Sequence, residues 1–192
     1  MRNRILIVLA AAGLAAGVAY TQERPEPVRV KPGRTAPLGE NEERRAEAVI
    51  EGKSGSKLTG HAMFVQKKNL VKLELTLENA PPGLHAVHLH EKGDCSAPDA
   101  TSAGPHWNPT SMAHGEWGHK PFHHGDIGNV EVGKDGKGRT TLETELWSIG
   151  GPPVGDILGR AIVVHAGPDD FVTQPTGNAG GRIGCGVVRD AN

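Results

Sequence analysis

The chain has 192 residues and a formal charge of −1, which excludes a nucleic-acid partner held by bulk positive charge. Aromatic residues make up 4%, whereas glycine occurs 27 times and proline 14 times; that mix disfavours helices and suits a turn-rich all-β domain. Ten histidines are the outlying count, and all lie between His61 and His165.

Taken in chain order, Arg2 and Arg4 precede an apolar run from Ile5 to Ala19. A basic start, a run too short for a comfortable membrane span and small residues at its end read residues 1–19 as a signal peptide cut after Ala19. The destination is then periplasmic or extracellular. The alternative is an uncleaved anchor that tethers the chain through residues 5–19; without it no stable membrane partner is implied. Residues 20–45 carry Pro25, Pro27, Pro32 and Pro37 and then Glu42, Glu43, Arg44 and Arg45. Such a segment buries little apolar area and reads as a flexible spacer. The folded body is expected over residues 46–192.

Within it, Leu70–Leu77 alternates, with Val71, Leu73, Leu75 and Leu77 on one face and Lys72, Glu74 and Thr76 on the other. That is a half-buried strand. Similar short strands fit Ala46–Gly52, Lys57–Gln66, Leu84–Glu91, Gly128–Val132, Arg139–Trp147, Arg160–His165 and Ile183–Val188, with a hairpin turn at Lys134–Gly138. Eight short strands without a helical pattern predict an eight-stranded, immunoglobulin-like Greek-key sandwich or barrel. Two stretches resist that scheme: a long one, Lys92–Ile127, and a shorter one, Ala166–Gly181. Loops of that kind inside a compact domain need something to order them.

The histidines supply it. His88 and His90 stand two apart on a strand, so both imidazoles share one face. His85 falls on the opposite face with Val87 and Leu89, and reads as structural. His106, His114, His119, His123, His124 and Asp126 lie in the long loop, and His165 ends an apolar strand. Imidazole suits zinc and copper, and one aspartate among histidines suits zinc. A metal site is therefore expected among His88, His90, His106, His114, His119, His123, His124, Asp126 and His165, and on local pattern His124 serves as well as His123. Trp117 and Phe122 are expected to pack the loop down. Cys95 and Cys185 are the only cysteines, and in an exported chain they read as one disulfide; a pair of free buried thiols is the alternative.

Gly83–Cys95, Gly104–Pro109, Val163–His165 and Gly177–Gly186 together resemble, in order and spacing, the copper–zinc superoxide dismutases of the bacterial exported type. The resemblance implies one copper per subunit held by His88, His90, His106 and His165. It implies one zinc per subunit held by His106, His114, His123 and Asp126, with His106 shared and taking part in proton transfer. It further implies Arg182 as the guide for the anionic substrate superoxide, Thr176 facing it across the channel, Asp169 linking copper and zinc ligands, and a Cys95–Cys185 bridge. The implied activity is dismutation of superoxide to oxygen and hydrogen peroxide at copper cycling between two oxidation states, with a homodimer allowed. The competing expectation is a non-catalytic copper/zinc-buffering protein of the same fold. Ala86, Val87 and Trp107 depart from the family pattern without removing a ligand.

Overall fold

The computed structural model describes residues 38, 39 and 42–191; the expected signal peptide and most of the expected spacer lie outside them. The strands are β1 (Glu43–Gly52), β2 (Thr59–Lys67), β3 (Leu70–Glu78), β4 (Gly83–His90), β5 (Asp126–Val132), β6 (Gly138–Thr144), β7 (Ala161–His165), β8 (Arg182–Val187) and the two-residue β9 (Arg189–Asp190). Neighbouring strands pair in the order β2-β3-β6-β5-β4-β7-β8-β1-β9, and β1 also pairs with β2. That last pairing closes β1–β8 into an eight-stranded antiparallel barrel and leaves no long free edge. β3 lies beside β6, and β4 lies between β5 and β7, which is the expected Greek-key connectivity.

Alternation explains the core. In β3, Val71, Leu73, Leu75 and Leu77 are buried at 1% exposure or less, while Lys72 and Glu74 face out. Ile50, Phe64, Val87, Leu89, Ile162 and Trp147 join them in one cluster. Burying each such side chain contributes about 1.5–3 kcal/mol. The turn between β5 and β6 closes through the Gly133 N–H to the Lys137 carbonyl at 2.9 Å, with Gly136 at φ 75°. A left-handed φ of that size costs glycine nothing.

Most strand ends fall within one or two residues of expectation; three differences have identifiable reasons. β1 starts at Glu43, not Ala46, because Arg44 turns inward and donates from Nη1 to the Ile149 carbonyl at 3.2 Å. β6 stops at Thr144, short of Trp147, because Trp147 leaves the strand pattern to pack edge-on against Phe64 and donate from Nε1 to the His124 carbonyl at 2.8 Å. β5 begins at Asp126 because a register shift between Val87 and His88 sets His88 opposite Asp126.

Candidate metal centre

β4 is buried from His85 to His90, since β5 and β7 flank it and the long loop covers its outer face. Val87 and Leu89 point into the core; His88 and His90, of opposite parity, point outward beneath the loop. The loop is fastened to this strand by backbone bonds: Leu89 N–H to the Gly125 carbonyl at 2.8 Å, Trp107 N–H to the Leu89 carbonyl at 2.8 Å, and Gly125 N–H to the Trp107 carbonyl at 3.0 Å. A Cβ on Gly125 would stand 2.3 Å from the Leu89 carbonyl oxygen, so only glycine lets the loop approach this closely. The fastening sets His106, next to Trp107, and Asp126, next to Gly125, against His88 and His90. His165 arrives at the end of β7, which pairs with β4.

Among the described residues, two groups of four converge, each with ligand atoms within 4.8 Å of one another: His88, His90, His106 and His165; and His106, His114, His123 and Asp126. His106 belongs to both. All seven residues are buried at 5% exposure or less. These are the seven residues singled out in the sequence, and His123, not His124, is the one in the cluster. His124 turns away, with Nδ1 at 3.2 Å from the Val154 carbonyl oxygen and its ring against Trp107. His119 is exposed beside Glu116, and His61 pairs with Glu47 at 2.9 Å. His85 is structural as expected: its two nitrogens lie 2.8 and 2.7 Å from the carbonyl oxygens of His165 and Pro81. Trp117 packs on Phe122 and Trp147, which holds the loop down.

The outer hydrogen bonds decide what the inner atoms can do. His90 Nδ1 lies 2.8 Å from the Gly104 carbonyl oxygen, and His165 Nδ1 lies 3.2 Å from that of Gly180. His88 Nε2 is 2.7 Å from Asp169 Oδ2, and His114 Nε2 is 2.9 Å from Asp169 Oδ1. Carbonyl and carboxylate oxygens only accept, so each of these ring nitrogens carries the proton, and the opposite nitrogen presents a lone pair. Those opposite atoms, His88 Nδ1, His90 Nε2, His114 Nδ1 and His165 Nε2, together with His106 Nε2 and His123 Nδ1, are buried without a hydrogen-bond partner. His114 Nδ1 and His123 Nδ1 come within 3.0 and 3.2 Å of Asp126 oxygens yet are not aligned to bond them. Buried polar atoms are ordinarily satisfied. Six orphaned nitrogens converging in two groups fit two metal ions, one in an all-imidazole set and one in a three-imidazole, one-carboxylate set suited to zinc.

The electrostatics agree. Burial, with the neighbouring histidines adding to it, pushes His90 down to about 2, His165 to about 3 and His106 to about 4. Neutral imidazole is the ligating form. Burial opposes the charge on His114 too, but Asp126 and Asp169 raise it to about 9. Asp126 and Asp169 themselves resist the desolvation of burial, and their histidine partners hold both carboxyls well below the usual range.

The chain from residue 58 to residue 188 matches the family model described as copper/zinc superoxide dismutase. The chain belongs to the copper/zinc superoxide dismutase family. It is 39% identical over 149 residues to the Cu-Zn superoxide dismutase of Caulobacter vibrioides, covering 75% of this chain and 85% of that protein. It is 37% identical over 146 residues to an extracellular Cu-Zn superoxide dismutase of Haemonchus contortus, covering 73% of this chain and 78% of the relative. With an extracellular Cu-Zn superoxide dismutase of Brugia pahangi it shares 36% identity over 152 residues, 74% of each chain. As in the family's name, the metals are copper and zinc.

The remaining expected positions surround the two clusters. Cys95 and Cys185 form a disulfide closing a sequence separation of 90. Arg182, half-buried, donates from Nη1 to the Ala100 carbonyl at 2.7 Å and from Nη2 to the Gly104 carbonyl at 2.8 Å. Burial lowers its pKa from the ordinary guanidinium value and Asp99 opposes that shift; a guanidinium stays charged in either case. Thr176 lines a cleft of about 440 Å³ together with His106, His123, Trp107 and Arg160, and Arg160 stacks 4.9 Å over the Trp107 ring. Two supporting residues had no signal in the sequence. Asn129 exchanges hydrogen bonds with the Asp169 backbone at 2.7 and 2.9 Å, and Gln174 does the same for His114 at 2.9 Å each way. Their partners lie 40 and 60 residues away, beyond any local pattern.

Proposed function

We propose that this protein dismutates superoxide through an all-histidine copper centre of His88, His90, His106 and His165, supported by a zinc centre of His106, His114, His123 and Asp126. The single observation that carries the assignment is the sharing of His106 by two convergent groups whose inward nitrogens lack partners. Bound copper supplies the one-electron couple that turns one superoxide into oxygen and a second into hydrogen peroxide. The chain's own residues do the rest. His88, His90 and His165 present fixed lone pairs, because their outer N–H groups are held by Asp169, Gly104 and Gly180. His106 would hold and return a proton at Nε2, while Nδ1, 3.1 Å from Asp126 Oδ1, would serve as the ligand atom on the zinc side beside that carboxylate. Arg182 offers a permanent positive charge to a small anion, and Thr176 bounds the approach to His106.

Asp169 ties the two centres by accepting from one histidine of each, which fixes their rings and tautomers. Export to the periplasm or extracellular space, with residues 1–19 as signal or tether and 20–45 as spacer, is supported by the disulfide and by two relatives named extracellular. A homodimer is compatible with the fold.

The test is superoxide decay with the chain from residue 20 onward loaded with copper and zinc, beside Arg182→Ile. Fast decay in the parent is expected, with a loss in kcat/KM of on the order of tenfold in the variant at low salt and unchanged copper content. Bound copper without turnover in the parent would instead favour a buffering protein.

A further inference from the structure

The two carbonyls that hold the Arg182 guanidinium, those of Ala100 and Gly104, flank the 3-10 turn Thr101–Ala103. The position of the charge therefore depends on the loop 95–104 keeping its place against β8. The disulfide is one fastening, from Cys95 in the loop to Cys185 in β8. A second, noncovalent fastening comes from the turn after β1. On the loop side, Lys53 Nζ donates to the Cys95 carbonyl at 2.6 Å, and the Ser54 N–H donates to the Pro98 carbonyl at 2.8 Å. On the β8 side, the Lys53 N–H donates to the Ile183 carbonyl at 2.9 Å, and Ser54 Oγ donates to the Arg182 carbonyl at 2.9 Å. Two adjacent residues thus grip both halves of the cradle, with two bonds to each.

The turn itself has little freedom. A Cβ at Gly52 would stand 2.1 Å from the Ser56 carbonyl oxygen, and Ser54 occupies the left-handed region at φ 53°. A serine there is uphill relative to extended backbone and persists where its surroundings hold it. Here its amide holds the loop and its hydroxyl holds the strand. Lys53 is half-buried, and its ammonium ends on a backbone carbonyl.

We propose that Lys53 and Ser54 are positioning residues for Arg182: their turn bolts the loop to β8 in parallel with the disulfide, so that either fastening alone keeps the guanidinium in place. The proposal rests on the reading of Arg182 as the guide for the substrate anion.

A double-mutant cycle on the copper- and zinc-loaded full chain tests it. One arm is Lys53→Met with Ser54→Ala, which removes the side-chain bond to each half and leaves the two backbone bonds, the other Cys95→Ser with Cys185→Ser, each alone and combined, beside Arg182→Ile. Three quantities are read: kcat/KM for superoxide, the affinity of the anion azide followed by absorption, and exchange of the Gly104 amide, which donates to the Thr101 carbonyl at 3.1 Å. Loss of one fastening is expected to change kcat/KM and azide affinity by less than about threefold, and loss of both to approach the roughly tenfold or larger deficit of Arg182→Ile. Gly104 exchange should accelerate about tenfold or more only when both are lost. The conservative change Lys53→Arg, with Ser54 kept, should leave all three at their parental values.

Effects that multiply independently to within about twofold, or a Gly104 amide indifferent to the combined loss, would overturn the proposal. An Arg182→Ile variant with parental kcat/KM would overturn the reading of Arg182, and Gly104 exchange would still report on the clamp. If the combined variant fails to fold, reductant added to Lys53→Met with Ser54→Ala replaces it. Faster Gly104 exchange there, but not in the reduced parent, supports the proposal; equal exchange sinks it.

Discussion

Asp169→Asn isolates the link between the two centres. Oδ2 sits 2.7 Å from His88 Nε2 and Oδ1 sits 2.9 Å from His114 Nε2, and none of the three side chains is exposed. A carboxylate accepts both bonds. Asparagine can accept only one, and its amide N–H₂ then faces the N–H of the other imidazole. One charge-assisted bond is lost and one ring is freed to turn, a cost of about 1.5–3 kcal/mol. Converted to metal affinity, this is a loss of roughly 10–100-fold. The larger loss is expected for copper, because the Phe171 N–H also donates to Oδ1 at 2.8 Å, which keeps the amide oxygen towards His114 and turns its N–H₂ towards the N–H of His88. Competition against a chromophoric chelator, with zinc and copper titrated separately into parent and variant, measures it. Zinc and copper affinities both within about twofold of the parent would refute the argument that Asp169 orients the ligands.

Acidification should destabilise the metal-free chain. Burial holds His90, His165 and His106 at about 2, 3 and 4, whereas unfolding returns each to about 6.5. Their contribution is full above pH 6.5 and is lost as pH falls towards the folded values, because the unfolded chain binds the protons. His114, raised to about 9, works in the opposite direction. Between pH 7.5 and 5.5 the net loss is on the order of 3 kcal/mol, read by urea unfolding, and a flat or rising profile contradicts it. Cys95→Ser with Cys185→Ser removes a bridge across a sequence separation of 90, and should lower unfolding free energy by about 4–5 kcal/mol in the chain-entropy account. Gly177→Ala should cost stability and zinc together: φ is 65°, and the new Cβ would meet Asp169 Oδ1 at 1.8 Å and His114 Nε2 at 2.6 Å. An unchanged melting temperature and zinc stoichiometry would count against that reading.

Strand existence was legible wherever one face is buried. Val71 to Leu77 writes its own alternation, and His88 and His90 write theirs by standing two apart on β4. Strand ends were less legible where a long-range contact outranks local pattern. Trp147 looks like strand until Phe64 and the His124 carbonyl claim it, and Arg44 looks like spacer until the Ile149 carbonyl does. In the site, ligand types and spacing stood in the sequence, but the choice of His123 over His124 could be read there only from family spacing. In the structure the choice has a physical form: the His123 N–H donates to Asp126 Oδ2 at 2.8 Å, while His124 is drawn off by Trp107 and Val154. Asn129 and Gln174 were invisible because a supporting amide has no motif of its own.

The two clusters that share His106 differ in how far apart their members stand along the chain. His106, His114, His123 and Asp126 fall within one loop and the first residue of β5, whereas the other cluster must bring His88 and His165 together from β4 and β7, strands that are neighbours in the sheet but distant in the chain. Closing a short loop is entropically cheaper than closing a long one, and the distant pair also needs β7 seated between β4 and β8. The centres therefore have an order of assembly written into the spacing of their ligands. The local one can gather before β7 is seated, and the other is completed only when β7 pairs with β4, a sequence that metal uptake followed during refolding would read directly.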